Sequence, residues 1–532
     1  MKKNTLASLF SLRRTPQSER IPGTSQVRND AGGYVYALDD FAMLDRFLIL
    51  GSEGGTYYVS PRTLTRRNAE AVCRCIAADG LRVVKTIVDV STHARAPKND
   101  AAIFALALAL KVGDLETRRA ARAAVPQVCR TGTHLFQLAE AVKALGGWGR
   151  VTKGAFADWY ADKAVGQLTY QAIKYQQREG WSHRDLLRKT HVRTDEVERA
   201  ALYRWMVTGE LVDGASDRLR AVEELKRVST AAEAIRLVRE HELPREVVPT
   251  RFLDEVSVWD ALLTAGRGMP TTALLRNLAK MSAVGLLTPG SRAEDHVVGR
   301  LDGRALRRAR VHPLAVLVAL TTYQAGRGVR GKLAWQPTRR VVDALDAAFY
   351  ASFENVQTTG LRWMLALDVS GSMACGTIAR LPGITPRVAS AAMALITAAS
   401  EPQSWFVGFT SKLRELNIST RQRLDDVVKT VSGLPFGATD CAQPMLHATK
   451  RRQEVDVFVV YTDNETWHGK VHPRQALEEY RQRSGRPARL VVVGMTATGF
   501  SIADPDDVGM LDVVGFDTSA PALVSRFAKG EI

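Results

Sequence analysis

Apolar residues recur at three- and four-residue spacing through most of the first 360 positions: Leu38 to Leu50, Arg67 to Ala77, Ala101 to Val112, Leu115 to Cys129, Thr133 to Leu145, Val197 to Thr208, Thr271 to Val284 and Leu314 to Gln324. That period predicts amphipathic helices, and residues 27–360 are expected to be helical throughout. Gly, Pro and charged breaks such as Lys98-Asn99-Asp100, Gly146-Gly147, Met269-Pro270 and Pro289-Gly290 punctuate them. Many helices in succession without strands suggest stacked antiparallel pairs, an α-solenoid of irregular HEAT-like repeats, since no strict period is present. A compact helical bundle is the alternative. Roughly 330 residues is large for one helical core, which favours a curved array.

The pattern changes after residue 360. Short continuous apolar runs predict strands at 363–368, 405–409, 455–462, 489–495 and 511–516, separated by helical patterns at 387–400, 421–431, 443–452, 473–484 and 519–529. Buried strands alternating with helices imply an α/β domain with a mainly parallel sheet covered on both faces.

Candidate chemistry falls at the ends of those strands. Asp368-Val369-Ser370-Gly371-Ser372 follows the first run. Asp368, Ser370 and Ser372, at alternate positions of a tight turn, can turn their oxygens toward one hard divalent cation: Mg2+ first, Mn2+ or Ca2+ as alternatives. The Gly-containing loop Phe436 to Asp440 offers the Thr439 hydroxyl, and Asp463 lies just past the strand at 455–462. Water or a partner's carboxylate would fill the remaining positions. Alternatively, Asp368 and Asp463 merely cap turns and Thr439 caps a helix. Strand context, with the three segments in order, favours the metal.

Charge separates the two regions. Residues 361–532 hold 19 Lys+Arg and 18 Asp+Glu, which leaves 54 against 38 for residues 1–360, so the first region carries +16 of the net +17. A polyanion is expected there, although a solvated basic surface would give the same count. One stretch concentrates that charge. A helix over Tyr170 to Arg178 would place Gln171, Lys174 and Arg178 on one face. After Gly180 a second helix, with Ser182 as N-cap and Asp185 in its first turn, would carry Arg184, Arg188 and His191. Two such ridges could grip a single strand, with Tyr175, His191 or arginine planes stacking on unpaired bases. The plainer reading is a solvent face, with Trp181 in the core and His183 and His191 as structural hydrogen-bonding groups.

Other classes are disfavoured. The five cysteines, Cys73, Cys75, Cys129, Cys375 and Cys441, form no C-x-x-C pair, which fits a reduced, cytoplasmic protein. No apolar run approaches the length of about 20 residues that spans a bilayer. Residues 1–26 lack a signal-peptide core and are expected to be a mobile or loosely docked arm.

The Asp368, Ser370, Ser372, Thr439 and Asp463 set resembles the metal-ion-dependent adhesion site (MIDAS) of von Willebrand factor A domains, over residues of about 361–532. Gly371 stands where many relatives have Ala, and both are small. Three groups of strings resemble the TROVE module of Ro autoantigen proteins, here a bacterial orthologue: Asn29 to Val35 with Phe47 to Tyr58; Lys174 to Arg178 with Gly180 to Arg188 and His191; and Thr272 to Leu278, Lys280-Met281 and Arg330 to Leu333. The resemblance implies three parts: an arm at 1–26, a TROVE ring of HEAT-like repeats at 27–360, and an A domain at 361–532 that closes the ring. It implies RNA quality control as a ribonucleoprotein, with single-stranded 3′ ends of misfolded or defective noncoding RNAs in a central hole and Y RNA on the basic outer surface. By position it makes Lys174, Arg178, Arg188 and His191 candidate RNA contacts, with Arg276 and Lys280 as weaker ones. Arg118, Arg119 and Arg122 form a further basic cluster that the sequence does not place.

Two function classes compete most closely. A noncatalytic RNA-binding monomer is favoured, with an exoribonuclease or another protein docking through a carboxylate at the metal. A metal-dependent phosphoesterase or nuclease at Asp368 is the alternative, but such chemistry needs several carboxylates around closely placed metals, and here hydroxyls outnumber carboxylates. An adhesion-type protein with a merely structural helical half is the third reading, and the concentrated positive charge argues against it.

Overall fold

Eleven strands are present among the described residues, which in this computed structural model are 14–52, 56–328, 332–351, 358–378, 383–419, 422–435 and 437–532. They are β1 (Val27–Arg28), β2 (Tyr34–Ala37), β3 (Gln177–Arg178), β4 (Trp181–Ser182), β5 (Arg362–Asp368), β6 (Gln403–Phe409), β7 (Leu413–Leu416), β8 (Val457–Thr462), β9 (Arg489–Gly494), β10 (Phe500–Ser501) and β11 (Met510–Val514). The chain divides into two units: residues 1–72, 95–98 and 353–532 form one, and residues 73–94 and 99–352 the other. Among the described residues no helix is long and apolar enough to cross a membrane.

The first unit is built on a six-stranded sheet in the order β11-β9-β8-β5-β6-β7. All pairings are parallel except that of β7, which returns from β6 as an antiparallel edge. Every residue of β8 is buried, as are Trp363 to Asp368 of β5, so neither face of the central strands meets water and the runs are apolar without alternation. Met364, Ala366, Phe458, Val460 and Val492 share one core with Met445, Leu477 and Tyr480 from the covering helices Gln443–Arg451 and Pro473–Ser484. Successive strands after β5 add first on one side (β6) and then on the other (β8). The chain order reverses beside β5, and ligand crevices in open α/β sheets lie at such points.

Helical periodicity does not run through the whole of residues 27–360. β1 and β2 form a small antiparallel sheet with β10, and Val35 joins the core of the α/β unit. Residues 14–26 are not a loose arm either. Arg14 pairs with Glu479 at 3.0 Å, and the Thr15 amide donates to Gln475 Oε1. Gln17, fully buried, donates to Asp440 Oδ1 at 2.6 Å and to the Val471 carbonyl at 2.8 Å. A side chain as short and polar as Gln17 gives no hydrophobic signal, and its partners lie more than 400 residues away. Residues 1–13 of the expected arm, with Glu53 to Gly55, Arg330, Gly331 and Phe436, lie outside the described residues.

The second unit is helical. Helix Asp100–Val112 packs against Leu115–Val128 and Gly132–Ala144, Leu115–Val128 against Arg150–Ala161, and Pro313–Gln324 against Arg339–Ala351. Sequence-local pairing of this kind is what short helix connections produce. Side-chain caps fix several starts. Asp114 accepts from the Thr117 amide and Thr131 from that of His134, and Thr230 forms a reciprocal capping box with Glu233.

Candidate metal centre and nucleic-acid interface

Asp368 ends β5 and Asp463 directly follows β8, the neighbouring parallel strand, so the sheet register delivers both carboxylates to one end of the crevice. Both are buried, at 0% and 1% exposure. Asp368 Oδ1 accepts from the Ser370 amide at 2.9 Å and Oδ2 from the Thr462 hydroxyl at 2.7 Å, while the Ser370 and Ser372 hydroxyls stand 3.0 Å apart. Asp463 hydrogen-bonds to Ser372 and to the Glu465 amide. Four of the five sequence candidates therefore share one cluster. Thr439 is buried beside it, its carbonyl accepting from the Trp467 and His468 amides, and this stitches the 437–440 loop to the loop after β8.

The electrostatics of the cluster favour a cation. Burial first, and the charge of Asp463 second, push the Asp368 carboxyl up to about 7, and burial also raises Asp463. Glu465 is pushed up to about 9 by burial and then by Asp463, and its Oε1 has no hydrogen-bond partner. A hollow of about 20 Å³ is lined by Ser372 and Asp463 together with Ser52 and Thr56. Two carboxylates and two hydroxyls facing such a space fit a hard divalent ion completed by water. Among the described residues no group of three or more His, Cys, Asp or Glu converges on a metal position, so hydroxyls must supply part of the donor set.

Sequence reasoning missed several supporting residues. Thr462 positions Asp368. Buried Arg387 donates to the carbonyls of Val369 and Ser370, holding the turn. Tyr58, its phenol pushed up to about 12 by burial and then by Asp463, stands within electrostatic reach. The Thr466 hydroxyl is held by Gln17, and Asn29 donates to the Thr466 carbonyl at 2.8 Å. Gly33 passes so close that a Cβ there would lie 1.9 Å from the Thr466 carbonyl oxygen. Thr462 and Glu465 flank Asp463 in sequence and could have been noticed; Gln17 and Arg387 carried no signal.

In the helical unit the basic stretch differs from a continuous helix. Helix Val165–Lys174 stops at Lys174, and β3 and β4 pair as a hairpin, Gln177 opposite Ser182 and Arg178 opposite Trp181. Its two loop residues, Glu179 and Gly180, have φ of +52° and +74°, a turn of the primed type whose twist suits a two-residue hairpin. Gln171 is therefore not on a shared polar face with Arg178: it is 8% exposed and accepts from the Gly132 amide at 3.0 Å. Ser182 does cap helix His183–Thr190, in a reciprocal box with Asp185. His191 lies beyond that helix as its left-handed C-cap, exposed along with Arg184 and Arg188. His183 and Trp181 are core residues, His183 Nδ1 meeting the Tyr160 hydroxyl at 2.8 Å and Trp181 Nε1 donating to Glu140.

Lys174 is half-buried, its ammonium 5.5 Å from the Tyr170 ring centre and 5.6 Å from that of Tyr175. Desolvation lowers its pKa, Glu246 opposes the shift, and Arg276 adds to it, so Arg276 faces the same region. Arg178 and Arg276 are exposed, whereas Lys280 is ion-paired with Asp254 at 2.6 Å. Of the other cluster, Arg122 pairs with Asp158 and Arg118 donates to the Lys111 carbonyl, leaving Arg119 exposed.

A helical repeat unit with a basic hairpin-and-helix face, joined to an α/β unit with a MIDAS-like cluster, defines the class: a TROVE protein carrying a von Willebrand factor A unit. The TROVE domain model matches residues 27–242 and 235–322, and the Ro60 vWA domain model matches residues 362–528. The chain is 46% identical, over the whole of both chains, to the RNA-binding protein RO60 of Deinococcus radiodurans. It is 36% identical to the RNA-binding protein RO60 of Caenorhabditis elegans over 98% of this chain and 93% of that one. The crystal structure of the Deinococcus radiodurans RO (RSR) protein superposes with a TM-score of 0.67 at 45% identity, covering 93% of this chain and all of the other. The chain belongs to the Ro60 family.

Proposed function

We propose that this protein binds RNA without cleaving it, holding single-stranded 3′ ends of misfolded noncoding RNAs on the helical unit and Y RNA on exposed basic surface, as a ribonucleoprotein in RNA quality control. The observation that carries the reading is the grouping of Lys174 with Arg276, near two tyrosine rings, in a unit whose sequence holds the excess positive charge. Cations at that spacing pair with phosphates, and aromatic faces accept unpaired bases of any identity. The relatives named as RNA-binding proteins support the same reading.

Asp368, Ser370, Ser372 and Asp463, with Thr439 alongside, would hold one divalent ion, Mg2+ by preference. The bound ion would supply the positive charge that the buried carboxylates lack and an open position for a partner's carboxylate. Its hydroxyl-rich donor set is suited to docking rather than to phosphoester hydrolysis. Incubating the protein with 5′-labelled single-stranded RNA and Mg2+ tests both parts. Retention of intact RNA is expected; progressive shortening, lost in Asp368→Ala, would make the protein a nuclease.

A further inference from the structure

A cavity of about 690 Å³ opens in the helical unit where helix Val165–Lys174 meets the segment 242–246 and the segment 265–277. The volume is within the range of about 300–1,000 Å³ usual for small-ligand clefts. Its lining mixes three chemistries. Tyr170 offers a ring already approached by Lys174 at 5.5 Å and by Arg218 at 6.0 Å. Lys174, Arg245 and the exposed Arg267 supply positive charge. Glu242 and Glu246 supply carboxylates: Glu242 lies 3.6 Å from Arg218, and Glu246 makes no ion pair within 4 Å among the described residues, although its field reaches Lys174, Tyr170 and Tyr175.

A bare phosphate would not call for two glutamates, and a cation would be repelled by the arginines and the lysine. One ligand class uses all three features: a flat base, an anionic phosphate, and a pair of hydroxyls that donate to carboxylates. We propose that this cavity holds one nucleotide with a free ribose 2′,3′-diol, the last residue of an RNA strand, its base against Tyr170, its 5′-phosphate toward Lys174 and Arg267, and its diol donated to Glu246 and Glu242. An acidic side chain on ribose hydroxyls is an established way to read that sugar, and the 2′-hydroxyl is what separates RNA from DNA. The diol exists only at a 3′ terminus, because every internal 3′-oxygen is esterified. A 3′-phosphate would bring negative charge against the glutamates. The proposal rests on the RNA-binding reading above and adds to it a device for recognising the chain end. A free 5′-mononucleotide carries the same chemistry.

Fluorescence anisotropy with 5′-labelled single strands that differ only in the last residue tests it. A terminal ribose should bind roughly tenfold more tightly than a terminal 2′-deoxyribose or a 3′-phosphate, the scale of a hydrogen bond to a charged group. The same deoxy substitution one residue inward should leave affinity unchanged. Glu246→Gln and, separately, Glu242→Gln should shrink the preference to within about twofold, with thermal melts confirming that both variants fold. Competition by millimolar AMP but not by dideoxy-AMP would show that free nucleotides share the pocket. A terminal preference that AMP does not disturb assigns it to strand ends alone. If the protein binds all three ends equally, or if both variants keep the full preference, the cavity assignment is overturned while RNA binding stands. If no single strand is retained, it is the earlier reading that fails.

Discussion

Two carboxylates at the ends of adjacent strands, both out of water, make the α/β unit sensitive to protons and to cations in opposite senses. Asp368 has a folded-state pKa of about 7, above its ordinary 3.8, so the folded state takes up a proton that the unfolded state does not. Its contribution to stability is therefore largest in acid and is lost as pH rises from about 4 through 7, when no divalent ion is present. With EDTA, the urea midpoint of the α/β unit should be lower at pH 8 than at pH 5, and excess Mg2+ should remove that difference. Asp368→Asn should abolish both the pH trend and the Mg2+ response while leaving RNA affinity within about twofold; a large RNA defect in the folded variant would contradict the separation of the two sites. In the helical unit, Lys174→Ala with Arg178→Ala should weaken single-strand binding and reduce the slope of log K against log salt by about 2, one for each lost phosphate contact. Filter binding at several salt concentrations reads this directly, and an unchanged slope removes both residues from the phosphate path.

At the scale of elements, helix Asp40–Leu50 is pinned by one buried cation. Arg46, at 0% exposure, pairs with Asp512 of β11 at 2.5 Å and donates to the carbonyls of Thr498 and Phe500. Arg46→Ala strands Asp512 and two carbonyls, and should cost about 3–5 kcal/mol, measurable by chemical denaturation. The same scale shows what could be read in advance. The strands and helices of the α/β unit were legible because buried parallel strands are short unbroken apolar runs, and the ends expected at 363–368 and 473–484 agree closely with the structure. Asp368 and Asp463 were legible because a carboxylate just past such a run is conspicuous. The hairpin Gln177–Ser182 was not, since its strands are two residues long and Lys174 and Arg178 happen to sit at helical spacing. β1 and β2 were missed for a related reason: their partner β10 lies more than 460 residues away, and no local pattern announces it.

Across the whole molecule the chain leaves the α/β unit after Val72, builds most of the helical unit, and returns at Phe353. A C-terminal fragment of residues 361–532 would keep the six-stranded sheet but lack Gln17, Asn29, Val35 and Arg46. It should consequently melt well below the full chain and bind Mg2+ more weakly, because the loops after β8 and before helix Gln443–Arg451 lose their supports. Differential scanning fluorimetry with and without Mg2+ checks this; equal melting and equal ion response would mean that the N-terminal residues merely lie on the surface.

The reach of Gln17 has a consequence for synthesis. Asp440 follows it by 423 residues and Thr466 by 449, so at about 5–20 residues per second the ribosome needs roughly 20–90 s to deliver the partners of the first segment. Until then Val35, Phe47 and Leu48, which end up in the interior, have no lasting shelter. The newborn chain must be shielded during that interval, and its yield in a cell should depend on chaperones that cover apolar segments near the start of a long polypeptide.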